Sequence, residues 1–264
     1  MIDFQVHTQV MQEQLQIEGL AVNALSFLPA VQLRKDRPQV LCLFTHGYTS
    51  SISSILTWGQ RFADEGYWCC LLNLPGHFLA GGAELQSFEQ FCSLTPQFFH
   101  KAYEVMQAKM QSVDYLLMGG HSLGGLMGLK ASQLDCFQGM KKHLVAVGYG
   151  QNQEVSQHLF DSDLYAKTMN IRRQLVSAAI DSEVIFPWIR QQKEELQISG
   201  ENILLLTGED DVVVGKQGAE FLRDYLQEKN NVDLIKPKSL SHHRPELAAT
   251  HLYHYFKQSI LPKI

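Results

Sequence analysis

Ser122 sits at the centre of Gly120-His121-Ser122-Leu123-Gly124, a G-x-S-x-G sequence. A serine hydroxyl attacks poorly at neutral pH unless a neighbouring group takes its proton. An imidazole does this best, backed by a carboxylate that fixes its tautomer and steadies the cation. The surrounding residues aim the hydroxyl outward. Tyr115 to Met118 is an apolar run too brief for a helix and of the size of a buried parallel strand. Beyond Gly124 the chain is apolar, punctuated by glycine and spaced as a helix. A strand can reverse into a helix within so few residues only if its neighbours lack a Cβ. The hydroxyl is then raised on a strained turn near the positive end of a helix. A purely structural Gly-rich turn is the other reading of the motif taken alone.

Positioning such a serine requires a framework, and the chain supplies alternating signals for one. Phe4 to Met11 and Ala21 to Leu28 flank the turn-prone Glu18-Gly19 as an antiparallel hairpin. Val40 to Thr45, Tyr67 to Leu74, His143 to Val147, Ile203 to Thr207 and Val232 to Ile235 read as further strands. Between them, Ser54 to Glu65, Ala219 to Glu228 and Pro245 to Ile260 have helical spacing. Glu84 to Met110 does too, and Thr95-Pro96 predicts two consecutive helices there. Gly148 to Gly200 is polar and Gln-rich, with helical patterns at Ile171 to Ile180 and Pro187 to Leu196. This alternation implies a mostly parallel sheet covered on both faces. In such sheets reactive groups gather at the carboxyl ends of strands. His46-Gly47, Pro75-Gly76-His77, Ser122, Asp211 and His242-His243 all fall at such ends.

In that order these landmarks resemble the α/β-hydrolase family over nearly the whole chain. The resemblance implies an eight-stranded, mostly parallel sheet with helices on both faces, as one domain over residues 1–264. It also implies that 148–200 forms a small inserted helical cap. His46-Gly47-Tyr48 resembles the family's oxyanion loop, which implies oxyanion donors at the amides of Tyr48 and Leu123. Gly208-Glu209-Asp210-Asp211-Val212-Val213-Val214 resembles the G-x-x-D-x-x-V that supplies the acid, so Asp211 is preferred and Asp210 is its rival. His242 takes the place of the base, with His243 as the competitor because H-x-P also occurs there in the family. HGYTSS is similar to small bacterial esterases of the dienelactone-hydrolase and prolyl-oligopeptidase-like branches. Pro75-Gly76-His77 resembles a P-G-H-G loop, with Phe78 in place of the last glycine and Asn73 where an acid is usual.

The remaining features read plainly. His46 is expected to bond backbone, and His121 to face away from the serine. Cys69 and Cys70 should point to opposite faces of a strand as buried thiols. Phe88, Phe91 and Phe98 are expected to pack the core. Phe160, Leu164, Tyr165, Ile185, Phe186 and Trp188 either line an acyl or alcohol pocket or pin the cap. A net charge of −5 without a basic face argues against nucleic acid. Five cysteines without a C-x-x-C pair, no secretory leader and no apolar stretch of membrane-spanning length predict a soluble, cytoplasmic protein. No metal or organic cofactor motif is present. The expected activity is hydrolysis of a small or medium carboxylic ester through an acyl-enzyme. A thioesterase or small-peptide hydrolase with the same groups is the alternative, and a non-catalytic binding protein of this fold is a third reading. Oligomeric state is not legible.

Overall fold

In a computed structural model, residues 8–34, 37–151 and 170–264 are described. The strands are β1 (Thr8–Ile17), β2 (Leu20–Pro29), β3 (Val40–Thr45), β4 (Trp68–Leu72), β5 (Tyr115–His121), β6 (Lys142–Val147), β7 (Asn202–Leu206) and β8 (Asn231–Ile235). They form one sheet in the order β1-β2-β4-β3-β5-β6-β7-β8. The β1–β2 and β2–β4 pairs are antiparallel and the other five are parallel.

The hairpin turns at Glu18 and Gly19, both at positive φ, which suits the right-handed twist of the paired strands. β1 runs on to Ile17, past the apolar run that ends at Met11. As an edge strand it buries only Leu15 fully and leaves its glutamines in solvent. The part of the predicted strand before Thr8 lies outside the described residues.

Every residue of β3 is buried, because helices cover both faces of the sheet. Leu41 and Leu43 enter one core with Phe98, Met118 and Leu126; Val40, Cys42 and Phe44 enter the other with Trp58, Phe62 and Phe256. Cys70 and Cys69 divide between the same two cores, as free thiols.

The two helices expected around Thr95-Pro96 are one helix, Phe88–Gln107, running straight through Pro96. Ser87 is its N-cap, the hydroxyl accepting from the Gln90 N–H at 3.2 Å. Thr95 is not a cap; its hydroxyl donates back to the Phe91 carbonyl at 2.6 Å. A proline inside a helix costs about 3 kcal/mol. Burial of Phe91, Leu94, Phe98, Phe99, Ala102 and Met106 along this helix outweighs it, at about 2 kcal/mol for each large side chain.

Of 148–200, the positions Phe160, Leu164 and Tyr165 lie outside the described residues. The rest contains 3-10 turns at Arg173–Leu175 and Ala178–Ile180, then a helix at Ser182–Glu195. This helix begins before Pro187 because Asp181 caps it, accepting from the Glu183 N–H at 2.9 Å. Trp188 packs edge-on against Phe88 and Phe91, with ring centroids 5.5 and 6.3 Å away. Since β6 and β7 are parallel neighbours, the chain between them must also cross from the end of one to the start of the other. The helix therefore belongs to the crossover between these two strands.

Candidate active site

The serine turn is built by close approach. Ser122 has φ 51° and ψ −115°, a strained conformation for a residue with a side chain. Its N–H donates to Val147 C=O at 2.8 Å and its C=O accepts from the Gly125 N–H at 2.9 Å. A Cβ on Gly124 would lie 2.5 Å from the His46 carbonyl oxygen, and one on Gly47 would lie 2.8 Å from His121 Nδ1 and 3.3 Å from Ser122 Cβ. Missing side chains thus let Gly47 and Gly124 bring the 46–47 backbone against the serine turn. Leu123 opens the helix Leu123–Ala131, where an N–H has no acceptor within the helix.

The carboxylate and imidazole come from the loops after β7 and β8. His242 Nδ1 donates to Asp211 Oδ2 at 3.0 Å. The other oxygen, Oδ1, accepts from the N–H groups of Val213 and Val214, both at 3.0 Å, so the carboxylate plane is fixed. Asp211 is 3% exposed. Asp210 is exposed and points elsewhere, accepting from the Leu240 N–H at 2.8 Å. It ties the acid loop to the histidine loop, aided by Glu209 N–H donating to Pro237 C=O at 2.9 Å. His243 packs edge-on to His242 and has no hydrogen bond to either aspartate among the described residues. Burial and the neighbouring His242 lower its pKa. Ser122 Oγ makes no hydrogen bond among the described residues, so the serine–imidazole contact stands open in this structure, as is common without substrate.

His121 does not simply turn away. Its ring lies 4.8 Å from that of His242, wedged between Gly47 and Gly148, and burial keeps its pKa well below the ordinary value. Residue type alone gave no signal for this contact, since it depends on two glycines far apart in sequence. His46 bonds backbone at both nitrogens, donating from Nδ1 to Gly47 C=O at 2.8 Å and accepting at Nε2 from the Leu74 N–H at 3.0 Å. Burial lowers it to about 3. His77 donates to Pro75 C=O and is lowered by burial to about 4. Asn73 accepts from the Ile52 N–H at 3.0 Å, a structural use of that loop.

The segment around Ile180 and Phe186 meets the 46–48 loop through Tyr48. The phenol donates to Ile180 C=O at 2.9 Å, and its ring packs edge-on to Phe186 at 5.2 Å and His77 at 5.9 Å. Ser177 stitches the same segment down: its N–H donates to Gly76 C=O at 2.7 Å and its hydroxyl to Glu84 at 2.6 Å. Ile185 is buried beside them. No group of His, Cys, Asp and Glu among the described residues is arranged to hold a metal ion, and no helix there is long and apolar enough to cross a membrane.

Residues 36–148 match the family model described as serine aminopeptidase, S33. No curated protein matches the chain. Among solved structures, an esterase from an Arctic intertidal metagenomic library aligns over 97% of this chain and 96% of its own, with TM-score 0.56 and 14% identity. Est1E from Butyrivibrio proteoclasticus aligns over 94% and 98%, with TM-score 0.58 and 14% identity. The acylaminoacyl peptidase of Pyrococcus horikoshii covers 97% of this chain but only 42% of its own, with TM-score 0.61 and 12% identity.

Proposed function

The chain is a member of the α/β-hydrolase family, and on that premise we propose that it is a serine hydrolase of carboxylic esters. The observation that carries this reading is the Asp211–His242 hydrogen bond, held at the same sheet edge as the strained Ser122. Ser122 Oγ attacks the ester carbonyl as His242 Nε2 takes its proton. Asp211 keeps the remaining proton on Nδ1 and stabilises the imidazolium. The carbonyl oxygen becomes an oxyanion between the amides of Tyr48 and Leu123, where loss of one donor costs on the order of 3 kcal/mol. Collapse expels the alcohol, which leaves with the proton from His242. Water then repeats the sequence on the acyl-serine, releasing the acid and restoring Ser122.

Ser122→Ala should abolish turnover of short p-nitrophenyl esters while the protein stays folded; undiminished turnover refutes the assignment. A second reading, hydrolysis of a small peptide or aminoacyl amide by the same groups, is favoured by the aminopeptidase description of the matching family model. Parallel assays of ester, thioester and aminoacyl-amide substrates separate the two. Failure of a fluorophosphonate to label Ser122 would instead favour a binding role without catalysis.

A further inference from the structure

One buried hydroxyl under the helix Ser182–Glu195 lacks the partner that burial calls for, and a half-buried ammonium stands beside it. Tyr149 follows Gly148, where a Cβ would stand 3.0 Å from His121 Nε2 and 3.2 Å from His242 Nδ1. Tyr149 thus begins one residue from the paired imidazoles of His121 and His242. Its side chain is 3% exposed and its hydroxyl has no hydrogen-bond partner among the described residues. Lys193, on the helix Ser182–Glu195, stands over the same ring with Nζ 5.2 Å from the centroid. No carboxylate among the described residues pairs with that ammonium. Desolvation, and then the like charge of Arg190, lower the amine to about 8. A buried phenol is normally hydrogen-bonded. The ring face attracts the ammonium without neutralising its charge.

Helix geometry ties this place to the reaction. Phe186 packs on Tyr48 of the oxyanion loop, and Lys193 lies two turns further on, about 10 Å along the same helix face. We propose that the Lys193 ammonium and the Tyr149 hydroxyl form a carboxylate-binding pocket, and that the preferred ester carries a second, free carboxylate at the far end of its acyl chain. The inference rests on the serine-hydrolase reading above and sharpens its substrate class. Lys193 contributes the charge, Tyr149 donates a hydrogen bond, and the carboxylate accepts from both. An uncharged acyl chain of equal length leaves both groups as they stand.

The test compares mono-p-nitrophenyl suberate with p-nitrophenyl octanoate, matched in length and differing in the terminal carboxylate. Lys193→Met should lower the ratio of kcat/KM for the charged over the neutral ester by at least about tenfold, and Tyr149→Phe by about threefold. A ratio unmoved in both variants overturns the pocket. Free suberate should also raise the Tm of the wild type and not that of Lys193→Met; no shift in the wild type overturns the pocket without recourse to turnover. If neither ester is cleaved and a fluorophosphonate leaves Ser122 unlabelled, the hydrolase reading falls, while the suberate shift still judges the pocket.

Discussion

The acid–imidazole half of the site and the oxyanion half are held in different ways. Asp211 and His242 sit in loops that follow neighbouring strands and are tied to each other by hydrogen bonds between them. Val213 and Val214 hold the carboxylate, Asp210 holds Leu240, Glu209 holds Pro237, and Trp58 Nε1 donates to Pro245 C=O at 2.8 Å behind the histidine loop. The Tyr48 loop is fixed on its outer side by side chains reaching into a remote segment: a phenol on Ile180, an edge contact on Phe186, and Ser177 on Glu84 and Gly76. The first set of ties joins two loops after neighbouring strands, whereas the second depends on a phenol and an aromatic edge reaching a segment 132 residues away. In the proposed mechanism the proton-transfer groups are thus held locally and the substrate side remotely.

The severest way to break this contrast is Asp211→Asn. The amide would keep the shape and the bonds from Val213 and Val214 but favour the wrong imidazole tautomer, and kcat should fall by roughly 10⁴. His243→Ala should change kcat by no more than a few-fold. Equal losses in the two would mean that those local ties do not choose the base. A moderate effect is expected from Tyr48→Phe, which removes only the bond to Ile180. With about 1 kcal/mol at stake, kcat on a short ester should drop by about fivefold while KM stays nearly constant. An unchanged kcat would show that the oxyanion amide does not depend on the cap.

Acidification acts on stability rather than on turnover, and it sharpens the same comparison. His46, His77, His121 and His143 all have pKa values lowered by burial, to about 3, 4 and 4 for the first, second and last, from 6.5. Below pH 6.5 the unfolded chain binds protons that the folded chain refuses, so stability falls as pH drops from 6.5 toward 4. Each ring contributes roughly 1.4 kcal/mol per pH unit at most. Three of the four touch the Tyr48 loop, and His143 lies against Tyr255 on the other face. Urea midpoints at pH 7.5 and 5 measure the total. Hydrogen exchange should open residues 46–48 before 211–214, and the reverse order would contradict the contrast.

The strands were legible because a sheet covered on both faces demands uninterrupted apolar runs, as VLCLFT and YLLM show. The serine turn was legible because only glycine permits such contacts. The neighbours Asp210 and Asp211, or His242 and His243, are the same residue type one position apart. Spacing ranks them, but only folding sets which pair lies 3.0 Å apart. Asp210, readable as a solvated carboxylate, turns out to hold Leu240, a contact 30 residues away that no local pattern encodes. Pro96 misled for the opposite reason. Its local preference is real, but the apolar face packed on the sheet is worth more than the one bond it deletes.

The Ser182–Glu195 helix has a mechanical consequence. It leads, through a few residues, into β7, and β7 ends in the turn that carries Asp211. Any tug on Phe186 or Lys193 is transmitted along one continuous stretch of chain to the carboxylate. Swapping residues on that helix to change what the protein accepts should therefore also shift how fast it turns over, and the two properties will be hard to engineer apart.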